Sequence, residues 1–177
     1  MAIRVPRGVT RPTTDFVRQA VFSRLGVRVE GAKVADLFAG SGAMGLEALS
    51  RGAASCEFVE MNRAAAGVIR ENLEKCRLQG GAVSQQDVHA WMKRASGRYD
   101  LVFADPPYAK SKADRDHVRE LLESGRAGSI LTSGGFWVIE QSSDWPTLTA
   151  VDLECVDRRD YGGSAILLYA AAGEVAA

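Results

Sequence analysis

The chain has 177 residues, of which 46% are hydrophobic and 25% charged, and its formal net charge is zero. This composition is that of a globular protein with one core, and it argues against a disordered chain. Its apolar runs fall far short of the roughly 20 residues that a membrane helix needs, and its first residues lack the apolar segment of a signal peptide. We therefore expect one cytoplasmic domain over residues 1–177, with residues 1–12 as an irregular basic arm.

Cysteine and histidine are sparse and scattered. The three cysteines, Cys56, Cys76 and Cys155, form no C-x-x-C pair, and His89 and His117 stand far apart. This pattern argues against a disulfide framework and against a zinc site. We expect no metal, and we expect a monomer because no segment resembles a dimer interface.

Positive charge is concentrated near the N-terminus. Residues 1–28 contain a single acidic residue, Asp15, and six arginines: Arg4, Arg7, Arg11, Arg18, Arg24 and Arg28. A local basic stretch can steer a protein to phosphate groups even when the total charge balances. On charge alone, a solvated arm without a partner is equally possible.

The first predicted element is a helix that begins after Thr13 or Thr14 and ends at Gly26. Its predicted apolar stripe is Phe16, Ala20, Val21 and Leu25.

Strands and helices then alternate. Strands are predicted at 34–38, 56–60, 82–85, 99–104 and 135–140, and helices at 43–50, 63–77, up to 91, and 114–122. Residues 149–159 and 165–170 are predicted strands around a predicted turn at Tyr161-Gly162-Gly163-Ser164, which is typical of a hairpin. This α/β alternation predicts a parallel sheet covered on both faces, with the ligand at the carboxyl ends of its strands.

A glycine loop follows the first predicted strand. Gly40-Ser41-Gly42-Ala43-Met44-Gly45 is a G-x-G-x-x-G, which also fits dinucleotide sites. Asp36 lies just before it, where a carboxylate would repel a pyrophosphate but attract an ammonium or sulfonium group. The run from Asp36 through Phe38 to Gly42 therefore suits S-adenosylmethionine (SAM) better than NAD.

Acidic residues also follow the next two predicted strands. Glu60 comes about twenty residues after the loop, where an acidic side chain can accept hydrogen bonds from ribose hydroxyls. Asp87 is placed to accept from an adenine amino group, and it is equally suited to cap the following helix. Met61, next to Glu60, is assigned to the same cofactor site.

The segment Asp105-Pro106-Pro107-Tyr108 ends the fourth predicted strand. Consecutive prolines stiffen the loop, which then holds the Asp105 carboxylate and the Pro106 carbonyl as two fixed acceptors. Two acceptors on the hydrogens of a base amine make its nitrogen more nucleophilic and stabilise the positive charge that develops there. Tyr108 can stack on the unstacked base. The segment therefore predicts methyl transfer to an exocyclic amine without a metal.

Together these motifs resemble the RsmD family, bacterial SAM-dependent methyltransferases that act on guanine N2 in 16S ribosomal RNA. The resemblance lies in Arg11-Pro12-Thr13-Thr14-Asp15, in the run from Asp36 to Ala53, and in Asp105 to Tyr108. It implies a Rossmann-like fold with a seven-stranded, mostly parallel sheet and an antiparallel C-terminal hairpin. It also implies a guanine(966)-N2 type of activity on the small ribosomal subunit.

The resemblance further implies roles for individual residues. It places Asp36, Gly40, Gly42 and Glu60 around SAM and gives the arginine-rich N-terminus a role in binding RNA. With the residues argued above, the full set expected at SAM is Asp36, Phe38, Gly40, Ser41, Gly42, Gly45, Glu60, Met61 and Asp87, and the set expected at RNA is Arg4, Arg7, Arg11, Thr13 and Arg18.

Three other functions are considered. An adenine-N6 methyltransferase shares the Asp-Pro-Pro-Tyr motif, and the Arg-Pro-Thr-Thr-Asp segment separates it from the RsmD family. A DNA enzyme would also usually need a larger target-recognition region than this chain can hold. An NAD-dependent oxidoreductase is disfavoured by Asp36 and by the Asp-Pro-Pro-Tyr segment. A catalytically idle RNA-binding module on the same fold is disfavoured by the intact motif at Asp105 to Tyr108.

Overall fold

The structure is a computed structural model that describes residues 15–107 and 115–173. Its helices are α1 (Asp15–Leu25), α2 (Ala43–Ser50), α3 (Arg63–Lys75), α4 (Val88–Arg94) and α5 (His117–Glu123). Its strands are β1 (Lys33–Leu37), β2 (Ser55–Val59), β3 (Gly81–Ser84), β4 (Tyr99–Ala104), β5 (Leu131–Ser142), β6 (Leu153–Tyr161) and β7 (Ser164–Ala171). Two short 3-10 turns lie at Gly26–Val29 and Gly128–Ile130.

The strands form one sheet in the order β3-β2-β1-β4-β5-β7-β6. β2 pairs in parallel with β1 and with β3, and β4 pairs in parallel with β5. β7 runs antiparallel to both β5 and β6. The predicted seven-stranded, mostly parallel sheet with an antiparallel C-terminal hairpin is confirmed.

The chain divides after Arg94 into two compact units. The first holds β1 to β3 with their helices, and the second holds β4 to β7 with α5. The single domain expected over the whole sequence stays a prediction.

In the first unit, β1 and β2 are buried along most of their length, as expected for parallel strands covered on both faces. α3 packs with one face inward. That face consists of Ala65, Ala66, Ile69 and Asn72, at helical spacing. One of these four buried residues is polar, and its role is described below.

The predicted apolar stripe of α1 is wrong in part. The buried residues are Val17, Val21, Phe22 and Leu25. Phe16 is 69% exposed, because each helical residue is rotated by about 100° from the one before it and position 16 falls outside the buried stripe. α1 does end at Leu25, directly before Gly26, as predicted. Its predicted cap at Thr13 or Thr14 lies outside the described residues.

The first residues of β5 and β6 also differ from the prediction. β5 begins at Leu131 rather than Gly135, and its pairing with β4 is irregular between Tyr99 and Leu101. Gly134 has a φ of 74°, a conformation found where a strand is irregular. In the sequence, the pair Gly134-Gly135 instead suggests a turn before the strand. β6 begins at Leu153 rather than at residue 149. Within the parts of the chain that are described, no helix is both long and apolar enough to cross a membrane.

Candidate functional site

The glycine loop between β1 and α2 has an unusual backbone. Gly40 and Gly42 have φ values of 54° and 79°, and Phe38 has a φ of 56°. Glycine adopts this left-handed region at little cost, whereas a bulky residue such as phenylalanine is strained there. The half-buried Phe38 ring meets the His89 ring of α4 edge-on, with 6.3 Å between ring centroids. Strain of this kind is retained where the surrounding structure enforces it, which is typical of ligand-binding loops.

Asp36 fastens the far end of this loop. Its Oδ2 accepts a hydrogen bond of 2.8 Å from the backbone N–H of Gly45, in the first turn of α2, and the residue is 3% exposed. The pKa of Asp36 is raised to about 7, chiefly by burial and in smaller part by the nearby Glu60 charge, while the Gly45 hydrogen bond acts in the opposite direction. A buried carboxyl of this kind is stabilised in its ionised form by a neighbouring cation.

This raised pKa gives a testable pH dependence. Because the folded chain holds the Asp36 proton to about pH 7 and the unfolded chain loses it near 3.8, the folded state binds more protons between those values. The Asp36 contribution to stability is therefore present at acid pH and is lost as the pH rises to about 7. We expect Asp36→Asn, which keeps an acceptor for Gly45, to flatten this decline. Urea unfolding at pH 5.0 and 7.5 measures it, and an equal decline in both proteins would contradict it.

Glu60 holds the near end of the loop. Its Oε2 accepts from the backbone N–H of Gly40 at 2.8 Å, and its Oε1 accepts from the N–H of Asn62 at 2.7 Å. Glu60 is buried, and Asn62 in turn caps α3. The end of β2 is thereby tied to the glycine loop. Each carboxylate oxygen can accept more than one hydrogen bond, so these contacts leave capacity for ligand hydroxyls.

Met61 and Asp87 complete the predicted cofactor set. Met61 is 68% exposed, directly after Glu60. The Asp87 Oδ1 accepts from the backbone N–H of Ala90 at 2.9 Å. Asp87 therefore caps α4, which was one of its two predicted roles. The contact to an adenine amino group stays a prediction.

Asn72 was not singled out from the sequence, although it contacts the glycine loop. It lies on the buried face of α3, is 1% exposed, and its Nδ2 donates to the Ser41 carbonyl at 3.2 Å. The signal in the sequence was a polar residue at the helical spacing of an apolar stripe. Three buried side chains, from β1, from α3 and from the position after β2, thus hold a single loop.

The Asp-Pro-Pro segment follows β4 in the second unit. Asp105 is half-buried, Pro106 is buried and Pro107 is exposed. Five predicted site residues lie outside the described residues: Arg4, Arg7, Arg11, Thr13 and Tyr108.

Arg18 is the predicted RNA-binding residue that the structure does place. Its guanidinium pairs with Asp15 at 2.8 Å and lies 3.7 Å from a Glu47 oxygen, and its side chain is 15% exposed. Two carboxylates therefore compete with phosphate for this arginine, and its contact with RNA stays a prediction.

The charged groups around the glycine loop allow a test of the expected cofactor. The loop contacts two buried carboxylates, Asp36 and Glu60, which accept from the backbone N–H groups of Gly45 and Gly40. Carboxylates at these positions disfavour a pyrophosphate and suit a ligand that carries cations and hydroxyls. The residues present fit SAM. Over residues 15–107 and 115–173, no group of three or more histidine, cysteine or acidic residues could hold a metal ion.

The sheet order, the glycine loop after β1 and the carboxylates at the ends of β1 and β2 define a class. This architecture is that of the SAM-dependent methyltransferases. A structure described as a methyltransferase complexed with SAH covers 87% of this chain and 48% of its own, with a TM-score of 0.68. Its sequence identity of 16% shows the shared fold alone.

The family follows from closer relatives. A family model described as conserved hypothetical protein 95 matches residues 2–170, and the chain belongs to this family, the RsmD family. A Haemophilus influenzae protein named ribosomal RNA small subunit methyltransferase D is 34% identical over 163 residues, which is 90% of this chain and 82% of the relative. A solved hypothetical protein of Thermus thermophilus has a TM-score of 0.79 and 31% identity, covering 95% of this chain and 92% of its own. Homologues of this chain are SAM-dependent methyltransferases.

Proposed function

We propose that this protein methylates the exocyclic N2 of a guanine in 16S rRNA, in the manner of the guanine(966)-N2 type. The observation that carries the proposal is the Asp105-Pro106-Pro107 segment at the end of β4, in a chain of the RsmD family. Related proteins are named as methyltransferases of small-subunit rRNA. The same motif also serves adenine-N6 enzymes, which therefore remain the alternative to exclude.

The proposed cofactor site lies on the glycine loop. SAM supplies an activated methyl group on a positively charged sulfur. The Asp36 carboxyl, which accepts from the Gly45 N–H, is proposed to attract the positive charge of SAM, and Glu60 is proposed to accept from ribose hydroxyls while it holds the Gly40 N–H. Met61 offers an exposed apolar surface for the adenine ring. The buried Asp36 and Glu60 fix the backbone before the cofactor arrives, which lowers the entropic cost of binding.

The proposed amine site is the loop after β4. The Asp105 carboxylate and the Pro106 carbonyl accept the two hydrogens of the guanine amine. The prolines restrict the backbone that carries both acceptors, which limits the reorganisation needed to stabilise positive charge on nitrogen. A proton leaves the nitrogen after methyl transfer, and Asp105 is the side chain placed to take it.

The proposed substrate is 16S rRNA in the small ribosomal subunit. The protein is proposed to act on it as a monomer in the cytoplasm. Arg4, Arg7, Arg11, Thr13 and Arg18 are the residues proposed to contact RNA. Phosphate contacts of this kind supply affinity that weakens with salt.

Two assays test the proposal. Calorimetric titration with SAM and with NAD is expected to show binding of SAM alone. Binding of NAD instead would indicate an oxidoreductase. Incubation with methyl-labelled SAM and unmethylated small subunits is expected to label the rRNA. Tight SAM binding with no label in any rRNA would support the idle RNA-binding module.

The proposed cofactor site gives a prediction for Asn72. We expect Asn72→Leu to weaken SAM binding about 3- to 10-fold, because the Ser41 carbonyl loses a buried hydrogen bond worth roughly 0.5–1.5 kcal/mol. The turnover rate at saturating SAM is expected to change less than the KM. Glu74→Leu, an exposed change on the same helix, is the matched control. Unchanged SAM affinity in a folded Asn72→Leu variant would show that the loop does not depend on Asn72.

A further inference from the structure

A second carboxylate is aligned with Asp105 in the second unit. β4 and β5 are parallel, and Ala104 is in register with Ile139. The register continued by one residue therefore places Asp105 beside Glu140, at the carboxyl ends of both strands. Glu140 is 8% exposed, and the chemistry described above does not use it.

The C-terminal hairpin holds the Glu140 side chain. The Ser164 hydroxyl, at the first residue of β7, donates to the Glu140 Oε1 at 2.8 Å. Ser164 is itself in register with Ser142 at the end of β5. The turn between β6 and β7 is fixed to the same edge, since the Ser143 N–H donates to the Gly163 carbonyl at 3.1 Å. The carboxylate thus has a defined position at the edge of the sheet where parallel strands bind ligands.

The two candidate bases differ in the atom beside their amine. In guanine, the N2 amine adjoins N1–H, so the two are neighbouring hydrogen-bond donors. In adenine, the N6 amine adjoins an N1 that carries a lone pair. A carboxylate next to the amine-binding Asp105 accepts a hydrogen bond from guanine N1–H and repels the lone pair of adenine N1.

We propose that Glu140 is a specificity-determining residue that accepts the N1–H of the target guanine, with Ser164 as its positioning residue. The inference rests on the proposed function and names the residue that separates guanine from adenine, which the Asp105 and Pro106 acceptors cannot do alone. A site built to hydrogen-bond a substrate N–H discriminates strongly against analogues that lack it, because its buried acceptor is then left unpaired.

The base 2-aminopurine isolates this contact. It keeps the N2 amine of guanine but has a lone pair at N1. We would prepare 16S rRNA with guanine or 2-aminopurine at the target position, assemble small subunits, and measure kcat/KM for the full-length wild-type and variant proteins. Glu140→Ala is expected to lower kcat/KM on guanine about 30- to 100-fold while changing it less than threefold on 2-aminopurine. Glu140→Gln keeps an acceptor, and its kcat/KM on guanine is expected to lie between those of wild type and Glu140→Ala.

The controls separate this role from a structural one. SAM affinity and the thermal midpoint are measured for each variant, and Glu154→Ala, an exposed change on β6, is expected to match wild type on both RNAs. An equal loss on guanine and 2-aminopurine in Glu140→Ala would overturn the inference and leave the proposed function intact. Failure of the wild type to methylate the guanine RNA would overturn the proposed function, and the inference with it.

Discussion

Asp105→Ala is expected to abolish methyl transfer, with a loss of about 10³-fold in kcat/KM, and to leave the Kd for SAM within about twofold. The variant removes one of the two acceptors proposed for the target amine, and the remaining carbonyl of Pro106 cannot take the departing proton. Asp105 belongs to the second unit, whereas the hydrogen bonds that shape the glycine loop come from Asp36, Glu60 and Asn72 in the first. We therefore expect the variant to lose methyl transfer without losing SAM binding.

Two further variants sharpen this result. Asp105→Asn keeps an acceptor but loses the negative charge, so we expect its rate to lie between those of wild type and Asp105→Ala. Asp144→Ala removes an exposed carboxylate from the loop after β5 and is expected to leave the rate unchanged. A collapse of SAM affinity in Asp105→Ala, or a rate close to wild type, would contradict the division of roles between the two loops.

Gly45→Ala is expected to cause the largest loss of stability among glycine-to-alanine substitutions in the glycine loop. A Cβ at this position would lie 2.3 Å from the Phe58 Cε1 and 2.5 Å from the Cys56 Sγ, and both side chains are almost fully buried on β2. Neither can move without disturbing the packing of α2 on the sheet. Overpacking of this kind costs about 1–3 kcal/mol, which for a chain of this size lowers the thermal midpoint by about 3–10 °C.

The matched control is Gly67→Ala in α3. A Cβ there meets nothing within 4 Å, so the change should stabilise the helix by about 0.5–1 kcal/mol through its better helix propensity. Calorimetry of both variants gives opposite expected shifts of the thermal midpoint. A Gly45→Ala protein that melts at or above the wild-type temperature would show that α2 lies farther from β2 than described.

The sequence predicted the sheet well, because parallel strands buried on both faces appear as short apolar runs ending at glycine or acidic residues. Asp36 and Glu60 were predicted at such ends, and both lie there. Their partners were not predictable, because the Glu60 contact with Gly40 spans 20 residues and depends on the side-chain conformation. Spacing reveals which residues share an edge but not which atoms they bind.

One misjudged feature and one contact that was not predicted both depend on tertiary packing. The stripe of α1 was assigned to Phe16 because hydrophobicity favours burial, yet a short helix has room for more than one apolar face, and tertiary packing decides between them. The bond between Glu140 and Ser164 joins residues 24 apart across a hairpin, so no local pattern marks it. The Glu140 contact became visible only once the strand register was known.

The most direct test is to identify the nucleoside that receives the methyl group. We would incubate the protein with methyl-labelled SAM and small subunits from a strain without its own guanine-N2 enzyme, digest the rRNA, and analyse the labelled nucleoside by mass spectrometry. We predict N2-methylguanosine as the labelled product. Label in N6-methyladenosine instead would contradict both the proposed substrate and the role of Glu140.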